Sequence, residues 1–192
     1  MKKLLLLVSL SIFVSNSVLA KQIDKWDAVN SIYQNFEYDF SWNLLDDISW
    51  IRQNTIQKGA VFAAKNMELG VVVYVIASKV ETFDVWRGIE NIKKGFLESF
   101  RNTGMALAFT PSFIKCNFCG RHAVRIESAQ FYEDDDRVAY NGLLYTTTYI
   151  VVDRNVQYHI SVMINQDVFE GLAEENVKAK DVFFNGWIFS AQ

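Results

Sequence analysis

The sequence predicts an α+β domain, in which an antiparallel β-sheet of six to eight strands packs against one long helix and one or two shorter helices. Three observations lead to this fold class. Several segments between residues 36 and 164 alternate apolar and polar side chains, as half-buried strands do. Residues 82–103 instead have apolar side chains every three or four positions, which is typical of an amphipathic helix. No repeat or Pro-rich linker divides the chain, which contains one proline.

Composition restricts the class of protein. Of the 192 residues, 51% are hydrophobic and 21% are charged, so the chain has enough apolar surface to offset the entropy of folding. The length fits one domain. The formal net charge of −3 argues against nucleic acid as a partner, because binding to phosphates requires an excess of cations. Length, composition and charge do not indicate a particular activity.

The first 20 residues have the pattern of a cleavable signal peptide. Two lysines precede an apolar run at residues 4–14, and small side chains stand at the positions that a signal peptidase reads. The alternatives are a buried first helix or a membrane anchor, but a spanning helix needs about 20 apolar residues and polar residues 15–17 interrupt this run. We predict cleavage after Ala20, a single α+β domain over residues 21–192, and a periplasmic or secreted protein without a membrane span.

The domain is predicted to begin with a short helix, because four apolar residues behind the candidate N-cap Asp24 have helical spacing. These residues are Trp26, Val29, Ile32 and Tyr33. Residues 36–42 alternate aromatic and polar side chains, which predicts a strand, and residues 44–51 are a connection. Residues 60–65 and 69–78 predict two more strands around a tight turn, and the valine-rich second strand is expected to be central in the sheet.

A long amphipathic helix is predicted over residues 82–103. Thr82 is a candidate N-cap, and Gly104 suits the position just after the last turn. Apolar side chains form one stripe that is expected to pack on the sheet. The stripe consists of Val85, Ile89, Ile92, Phe96 and Phe100.

The second half of the chain returns to a period of two and predicts four strands, followed by a helix and a short edge strand. The strands are residues 105–115, 121–132, 143–152 and 156–164, the helix is residues 169–184, and the edge strand is residues 187–189.

The last two of the four strands are predicted to form a hairpin around a two-residue turn. This register pairs Tyr149 with Ile160 and places aromatic and β-branched side chains on one face. The opposite face is more polar, and we expect it to carry a polar surface patch. That patch consists of Gln157, His159 and Ser161.

The order of these elements resembles the PsbP-like fold, which includes the bacterial DcrB-like proteins. Two stretches resemble the family locally: residues 148–164 (TYIVVDRNVQYHISVMI), where a strand turns through Asp-x-Asn into a strand with a tyrosine, and the helix-to-strand ending at residues 182–189 (VFFNGWIF). The proline and glycine expected before the first tryptophan are missing from residues 46–50. The resemblance covers most of residues 36–189. It implies an α/β/α sandwich and a non-catalytic module that docks on other proteins, and it carries over no catalytic residue.

Cys116 and Cys119 form the one motif with chemical content and allow three interpretations. In an oxidising compartment the simplest is a disulfide that closes a hairpin tip. The second is a thiol-redox pair, although such pairs usually stand at a helix N-terminus, which the flanking residues do not predict. The third is a zinc site completed by His122 and His159, although one Cys-x-x-Cys is a weak signal. We expect the disulfide, and therefore no metal or other cofactor.

No other sequence feature points to catalysis. The acidic run at residues 133–136 lacks the alternating spacing of a calcium loop and is interpreted as a solvated loop. The sequence contains no nucleophile elbow, zinc-protease motif or P-loop. We expect an exported, non-catalytic protein that binds another protein or an envelope component. The alternative is a thiol-redox or zinc-dependent protein that uses Cys116, Cys119 and His122.

Overall fold

The computed structural model describes residues 23–44, 49–53, 59–103, 106–132, 142–165 and 182–190. These residues contain eleven strands and one helix. In chain order they are β1 (Asp24–Asp27), β2 (Ile32–Asn35), β3 (Phe40–Asn43), β4 (Ile51–Arg52), β5 (Ala60–Asn66), β6 (Val71–Lys79), α1 (Ile89–Thr103), β7 (Ser112–Phe118), β8 (Arg121–Tyr132), β9 (Gly142–Asp153), β10 (Val156–Asn165) and β11 (Trp187–Phe189). The predicted signal peptide, the acidic run and most of the predicted helix at residues 169–184 lie outside the described residues.

Seven strands form one antiparallel sheet in the order β4-β5-β6-β10-β9-β8-β7. The strand number agrees with the predicted six to eight. β6 lies between β5 and β10, and its first three valines are buried on both faces of the sheet, as the valine-rich sequence predicts. The predicted hairpin register is confirmed, because Tyr149 of β9 lies opposite Ile160 of β10.

A second sheet, with the order β1-β2-β3-β11, was not predicted. The predicted opening helix is wrong: Trp26 and Tyr33 instead face each other across the β1–β2 hairpin. The Asp27 carboxylate accepts hydrogen bonds of 3.1 Å from the N–H groups of both Val29 and Asn30, and so stabilises the turn between the strands. The four apolar side chains had helical spacing, but a carboxylate-stabilised turn divides them.

β3 is shorter than the strand predicted at residues 36–42, because residues 36–39 form a turn. The side-chain oxygen of Asn35 accepts the N–H groups of Glu37 and Tyr38 at 3.0 and 2.9 Å. These bonds hold the turn closed. β11 pairs with β3 at the edge of the second sheet, which confirms the predicted closing strand.

The core between the two sheets is built largely from aromatic side chains. Tyr33 of β2 stacks on Phe62 of β5 with ring centroids 4.0 Å apart. Trp42 of β3 is fully buried, and its Nε1 donates a hydrogen bond of 3.0 Å to the main-chain oxygen of Phe183. Since these two residues are 141 positions apart, the packing of the second sheet depends on contacts between the two ends of the domain.

Helix α1 covers the opposite face of the seven-stranded sheet. Phe96 meets Phe113 of β7 edge-on at 5.7 Å, and the apolar stripe packs on Val124 and Ile126 of β8 and Ile150 of β9. In the described residues the layers are therefore four-stranded sheet, seven-stranded sheet and helix. This differs from the expected α/β/α sandwich, because β1, β2, β3 and β11 cover one face of the large sheet.

α1 begins at Ile89 rather than at the predicted Thr82. The Thr82 hydroxyl is hydrogen-bonded to the Asn155 side chain and so does not cap the helix. The Asp84 carboxylate accepts the N–H of Trp86 at 2.9 Å and forms a separate turn before the helix. That turn brings Trp86 onto the β7–β8 hairpin.

Candidate functional site

The cysteine motif lies at the tip of the β7–β8 hairpin. β7 begins at Ser112, later than the strand predicted at residues 105–115, and continues to Phe118, which pairs with Arg121. Cys119 and Gly120 form the two-residue turn with φ angles of 48° and 77°. Both lie in the left-handed region that a type I′ turn requires. The predicted hairpin tip is confirmed, and Cys116 does not begin a helix.

The structure does not show the predicted disulfide, because no S–S bond joins Cys116 and Cys119 in it. The sulfur of Cys116 points at the main-chain oxygen of Ala123 on β8, 3.7 Å away. The sulfur of Cys119 points at the main-chain oxygen of Trp187 on β11, 3.6 Å away. The two sulfurs are directed at different strands because Cys119 lies in the turn, whereas Cys116 lies three residues earlier within β7.

The electrostatics around Cys119 differ from those of a thiol-redox pair. Burial raises the pKa of the Cys119 thiol, and the nearby Arg121 charge offsets only part of this effect. A raised pKa keeps the thiol protonated at neutral pH, whereas a reactive cysteine needs a lowered pKa. Cys119 therefore lacks the lowered pKa that activates a reactive cysteine.

His122 belongs to a compact group that the sequence did not predict. Its ring stacks on Trp86 with centroids 3.5 Å apart and planes at 9°, and its Nδ1 lies 3.3 Å from Asp84 Oδ1. Trp86 Nε1 donates to the main-chain oxygens of Cys116 and Ala123 at 3.1 and 2.9 Å. The backbone N–H of Trp86, together with the His122 ring, lowers the pKa of Asp84.

This group holds the turn before α1 on the hairpin. A carboxylate beside Nδ1 is half of a catalytic arrangement, since it orients the imidazole. No hydroxyl or thiol in the described part of the chain is hydrogen-bonded to the other ring nitrogen of His122. The Asp84–His122 pair therefore has an anchoring role in this structure.

The four candidate zinc ligands are separated by the sheet. Cys116 packs against the core between the two sheets, whereas His122 lies on the helix side against Trp86. His159 is on β10, and β9 lies between that strand and β8. Within the described ranges, no group of three or more His, Cys, Asp and Glu side chains is placed to hold a metal ion.

Gln157, His159 and Ser161 lie along one face of β10, but they do not form the expected surface patch. Ser161 is buried, and its hydroxyl lies 2.9 Å from that of Thr148 on β9. Gln157 Nε2 lies 2.5 Å from His159 Nε2. Burial lowers the pKa of His159, which keeps its ring neutral at pH 7. Gln157 and His159 therefore bond to each other, and Ser161 bonds to Thr148 of the neighbouring strand.

A charged network, also not predicted, fastens β11 to the seven-stranded sheet. The Asp153 carboxylate accepts Arg121 Nε at 2.6 Å and Arg154 Nε at 3.1 Å. Arg154 also donates to the main-chain oxygen of Ser190 at 2.8 Å, and the Arg121 guanidinium lies 4.2 Å from the ring centroid of Phe189. The network therefore joins the tips of two hairpins to the edge of the second sheet.

Aromatic side chains are exposed at the far end of the seven-stranded sheet. Phe131 of β8 is 59% exposed and Phe109 is 44% exposed, and the Phe109 ring centroid lies 6.3 Å from that of Tyr145 on β9. Phe131 is two residues beyond Ala129, which lies opposite Tyr145, so Phe131 and Tyr145 are on the same face of the sheet. We call Phe109, Phe131 and Tyr145 the Phe109/Phe131 patch. The patch could not be predicted from the sequence, because strand alternation does not show which aromatic side chains a second layer covers.

The paired sheets and the covering helix define the class of this protein: it has the PsbP-like fold. The solution structure of cyanobacterial PsbP (CyanoP) from Synechocystis sp. PCC 6803 is similar, with a TM-score of 0.57 over 85% of this chain and 94% of that chain. The two sequences are 8% identical, so the likeness concerns the fold alone. The resemblance to the PsbP-like fold is thereby confirmed, whereas the one or two shorter helices that the sequence predicted are not confirmed, since the described residues contain one helix.

Two other solved structures match less well. One is a protein from Bacteroides thetaiotaomicron VPI-5482, with a TM-score of 0.42, 13% identity and coverage of 80% of this chain and 46% of that chain. The other is a Pseudomonas aeruginosa protein of unknown function described as a putative regulator, with a TM-score of 0.39, 14% identity and coverage of 77% and 91%. No family model and no curated protein sequence matches this chain.

No helix in the described residues has the length and apolar character needed to cross a membrane.

Proposed function

We propose that this chain is an exported, non-catalytic domain that binds another protein or an envelope component through the Phe109/Phe131 patch. The signal-peptide pattern that ends at Ala20 supports export to the periplasm or beyond the cell. The PsbP-like fold supports a docking role, as the resemblance of the sequence implies. The exposed patch is the observation that carries the proposal.

The patch has the properties of a binding surface. Exposed aromatic side chains that lie together mark interaction sites, because their burial on binding is favourable by about 1 kcal/mol for each half-exposed ring. The main chain around the patch is fixed: Ala108 N donates to Ala129 O at 2.8 Å, and Phe131 N donates to Ala106 O at 3.1 Å. A surface that is already ordered loses little entropy when a partner binds.

The thiol-redox and zinc alternatives receive less support. Both require Cys116 and Cys119 to act together, and the two sulfurs point at the main-chain oxygens of different strands. The zinc alternative also requires His122, which lies on the other side of the sheet from Cys116. We therefore keep the binding role as the proposed function.

The proposal is tested by capture from envelope extract of the native host with a tagged full-length chain. We compare the wild type with the double variant Phe109→Ser/Phe131→Ser. The matched control is Phe36→Ser, since Phe36 is 46% exposed but lies in the turn that joins β2 and β3 of the second sheet. Thermal unfolding followed by circular dichroism checks that all three chains are folded.

We expect one partner to be recovered with the wild type and Phe36→Ser, and to be lost with the folded double variant. Repeated capture of nothing by the wild type would overturn the proposal, as would capture that the double variant leaves unchanged. Intact mass spectrometry of the exported protein tests the location: a chain that begins at Lys21 supports export, and one that retains Met1 contradicts it.

A further inference from the structure

The outer side of β7 is the longest open strand edge in the described residues. β7 has seven residues, whereas the other edge strands β4, β1 and β11 have two, four and three. The outer side of β11 is occupied, because Trp187 N donates to Phe184 O at 3.1 Å and Trp187 O meets the Cys119 sulfur. Ile114 and Lys115 in the middle of β7 are exposed.

Two observations show which residues of β7 direct their main-chain groups outward. A two-residue turn closes the hairpin, so Phe118 exchanges hydrogen bonds with Arg121 and every second residue before Phe118 does the same with β8. Trp86 Nε1 also reaches both Cys116 O and Ala123 O, which requires both carbonyls to point between the strands.

The N–H and C=O groups of Phe113, Lys115 and Asn117 therefore point away from β8. No main-chain hydrogen bond from the described residues reaches them. Three donors and three acceptors stand in a row, with the spacing that an added strand requires.

β7 is held rigidly in this position. Phe113 packs against Phe96 of α1 with centroids 5.7 Å apart, and Phe118 is buried against Tyr149 at 4.6 Å. The edge is thus anchored at both ends and in the middle, where Trp86 donates to Cys116 O. An added segment has to order only itself, which favours binding.

We propose that β7 accepts an extended segment of the partner protein as an eighth strand, with an acidic residue of that segment opposite Lys115. This inference rests on the proposed function, because it names the kind of partner segment that is bound. Lys115 is exposed and takes part in no ion pair of the described residues. A carboxylate opposite it on the added strand would form an ion pair with its ammonium group.

A second copy of this chain fits the edge less well. Antiparallel pairing of β7 with its own copy uses all seven residues only in the register centred on Lys115. That register places two lysines directly opposite each other, and like charges in that position are destabilising. A lysine in an edge strand also discourages self-association in natural sheets.

The decisive variant is Lys115→Pro, with Lys115→Thr as the matched control. Both remove the charge, but only proline removes the outward N–H and places a ring against the incoming strand. Because the N–H of residue 115 does not bond to β8, the hairpin is expected to stay folded. Cys116→Pro removes an inward N–H instead, and we expect it to destabilise the protein.

The probe is a blocked, fluorescent peptide of alternating threonine and valine with a central glutamate, measured by anisotropy. We expect the wild type to bind the peptide. Lys115→Thr should also bind it, but with a weaker preference for glutamate over lysine at the central position of the peptide. Folded Lys115→Pro should bind at least about tenfold more weakly than the wild type. Amide exchange followed by NMR gives a second measurement. In the protein alone, the amides of Phe113, Lys115 and Asn117 exchange fast, and the peptide slows them.

Slow exchange of these three amides in the protein alone would overturn the inference, since the edge would already be covered. A dimer that Lys115→Pro abolishes would also overturn it and make a second copy the occupant. Capture of the envelope partner by Lys115→Pro at the wild-type level would overturn the inference and leave the proposed function standing. If neither the wild type nor any variant captures a partner, the proposed function fails. The peptide-binding measurement then decides by itself whether β7 accepts an added strand.

Discussion

Two buried tryptophans make a matched test of the hydrogen bonding in the core. Trp42 is fully buried, and its Nε1 donates to Phe183 O at 3.0 Å. Trp187 is 3% exposed, and its Nε1 is buried without a hydrogen-bond partner among the described residues. Both rings pack in the same layer, 5.6 Å apart. Replacement by phenylalanine removes a similar apolar area from each position, so the difference between the two variants reports the hydrogen bonds.

Trp42→Phe leaves the Phe183 carbonyl without its donor in a buried setting, which costs about 1–3 kcal/mol beyond the loss of ring area. Trp187→Phe removes a buried N–H that has no acceptor, and so recovers part of the cost of the smaller ring. We expect Trp42→Phe to lower the free energy of unfolding by about 2 kcal/mol more than Trp187→Phe.

The assay is urea unfolding followed by far-ultraviolet circular dichroism, with equal slopes required for the comparison. Equal destabilisation by the two variants, or greater destabilisation by Trp187→Phe, would refute this account of the core.

Three further predictions follow from local geometry. Gly186→Ala is expected to destabilise the domain by about 3 kcal/mol, measured by urea unfolding, because an added Cβ would lie 1.8 Å from the main-chain oxygen of Asn43. Burial acts to raise the pKa of Asp153, but hydrogen bonds from two arginines outweigh it and lower that pKa. The Asp153 carboxylate therefore stabilises the fold above its unfolded pKa, and this stabilisation is lost as the pH falls through the lower folded pKa. Asp153→Asn should reduce the free energy of unfolding at pH 7 by about 1–2 kcal/mol. The free energy of unfolding of this variant should also fall less steeply than that of the wild type below about pH 4. Alkylation of the folded protein without reductant should modify the exposed Cys119 before the half-buried Cys116, and faster as the pH rises; two thiols that react only after reduction would contradict the structure.

Local patterning was sufficient where neighbouring segments pair with each other. β8 matches the predicted strand at residues 121–132, and the β9–β10 register was predicted because alternation and a two-residue turn leave one pairing that buries the apolar face. The apolar stripe of α1 was predicted on the same basis, since its periodicity is a property of the helix itself.

Local patterning was misleading where a side-chain hydrogen bond or a contact with a distant strand overrides the periodicity of the apolar residues. Thr82 was expected to cap the helix, but it bonds to the Asn155 side chain, and the helix begins at Ile89. The helical spacing around Trp26 is real, but Asp27 closes a turn there, and stacking of Tyr33 on Phe62 of the other sheet stabilises strands. Each competing contact depends on residues that local periodicity does not consider.

In the candidate site, too, local features were predicted from the sequence and contacts with distant residues were not. Cys116 and Cys119 were identified from spacing, and their place at a hairpin tip was predicted from the flanking strands. The direction of each sulfur was not, because it depends on whether a residue lies in the strand or in the turn. The partners of His122 were also not predicted, since Asp84 and Trp86 reach it from a turn that precedes the helix.

The sequence by itself determined the α+β class, the central valine-rich strand, the long hairpins and the amphipathic helix, because these follow from periodicity and turn chemistry within short segments. Only the tertiary structure decided that β1, β2, β3 and β11 form a second sheet and that the zinc candidates lie on opposite sides of the large sheet. It also decided that no described strand pairs with the outer side of β7 and that Phe109 and Phe131 are exposed. The physical reason is that burial and strand pairing depend on which distant segments meet. Residues 42 and 183, which are 141 positions apart, share a hydrogen bond that neither neighbourhood specifies alone.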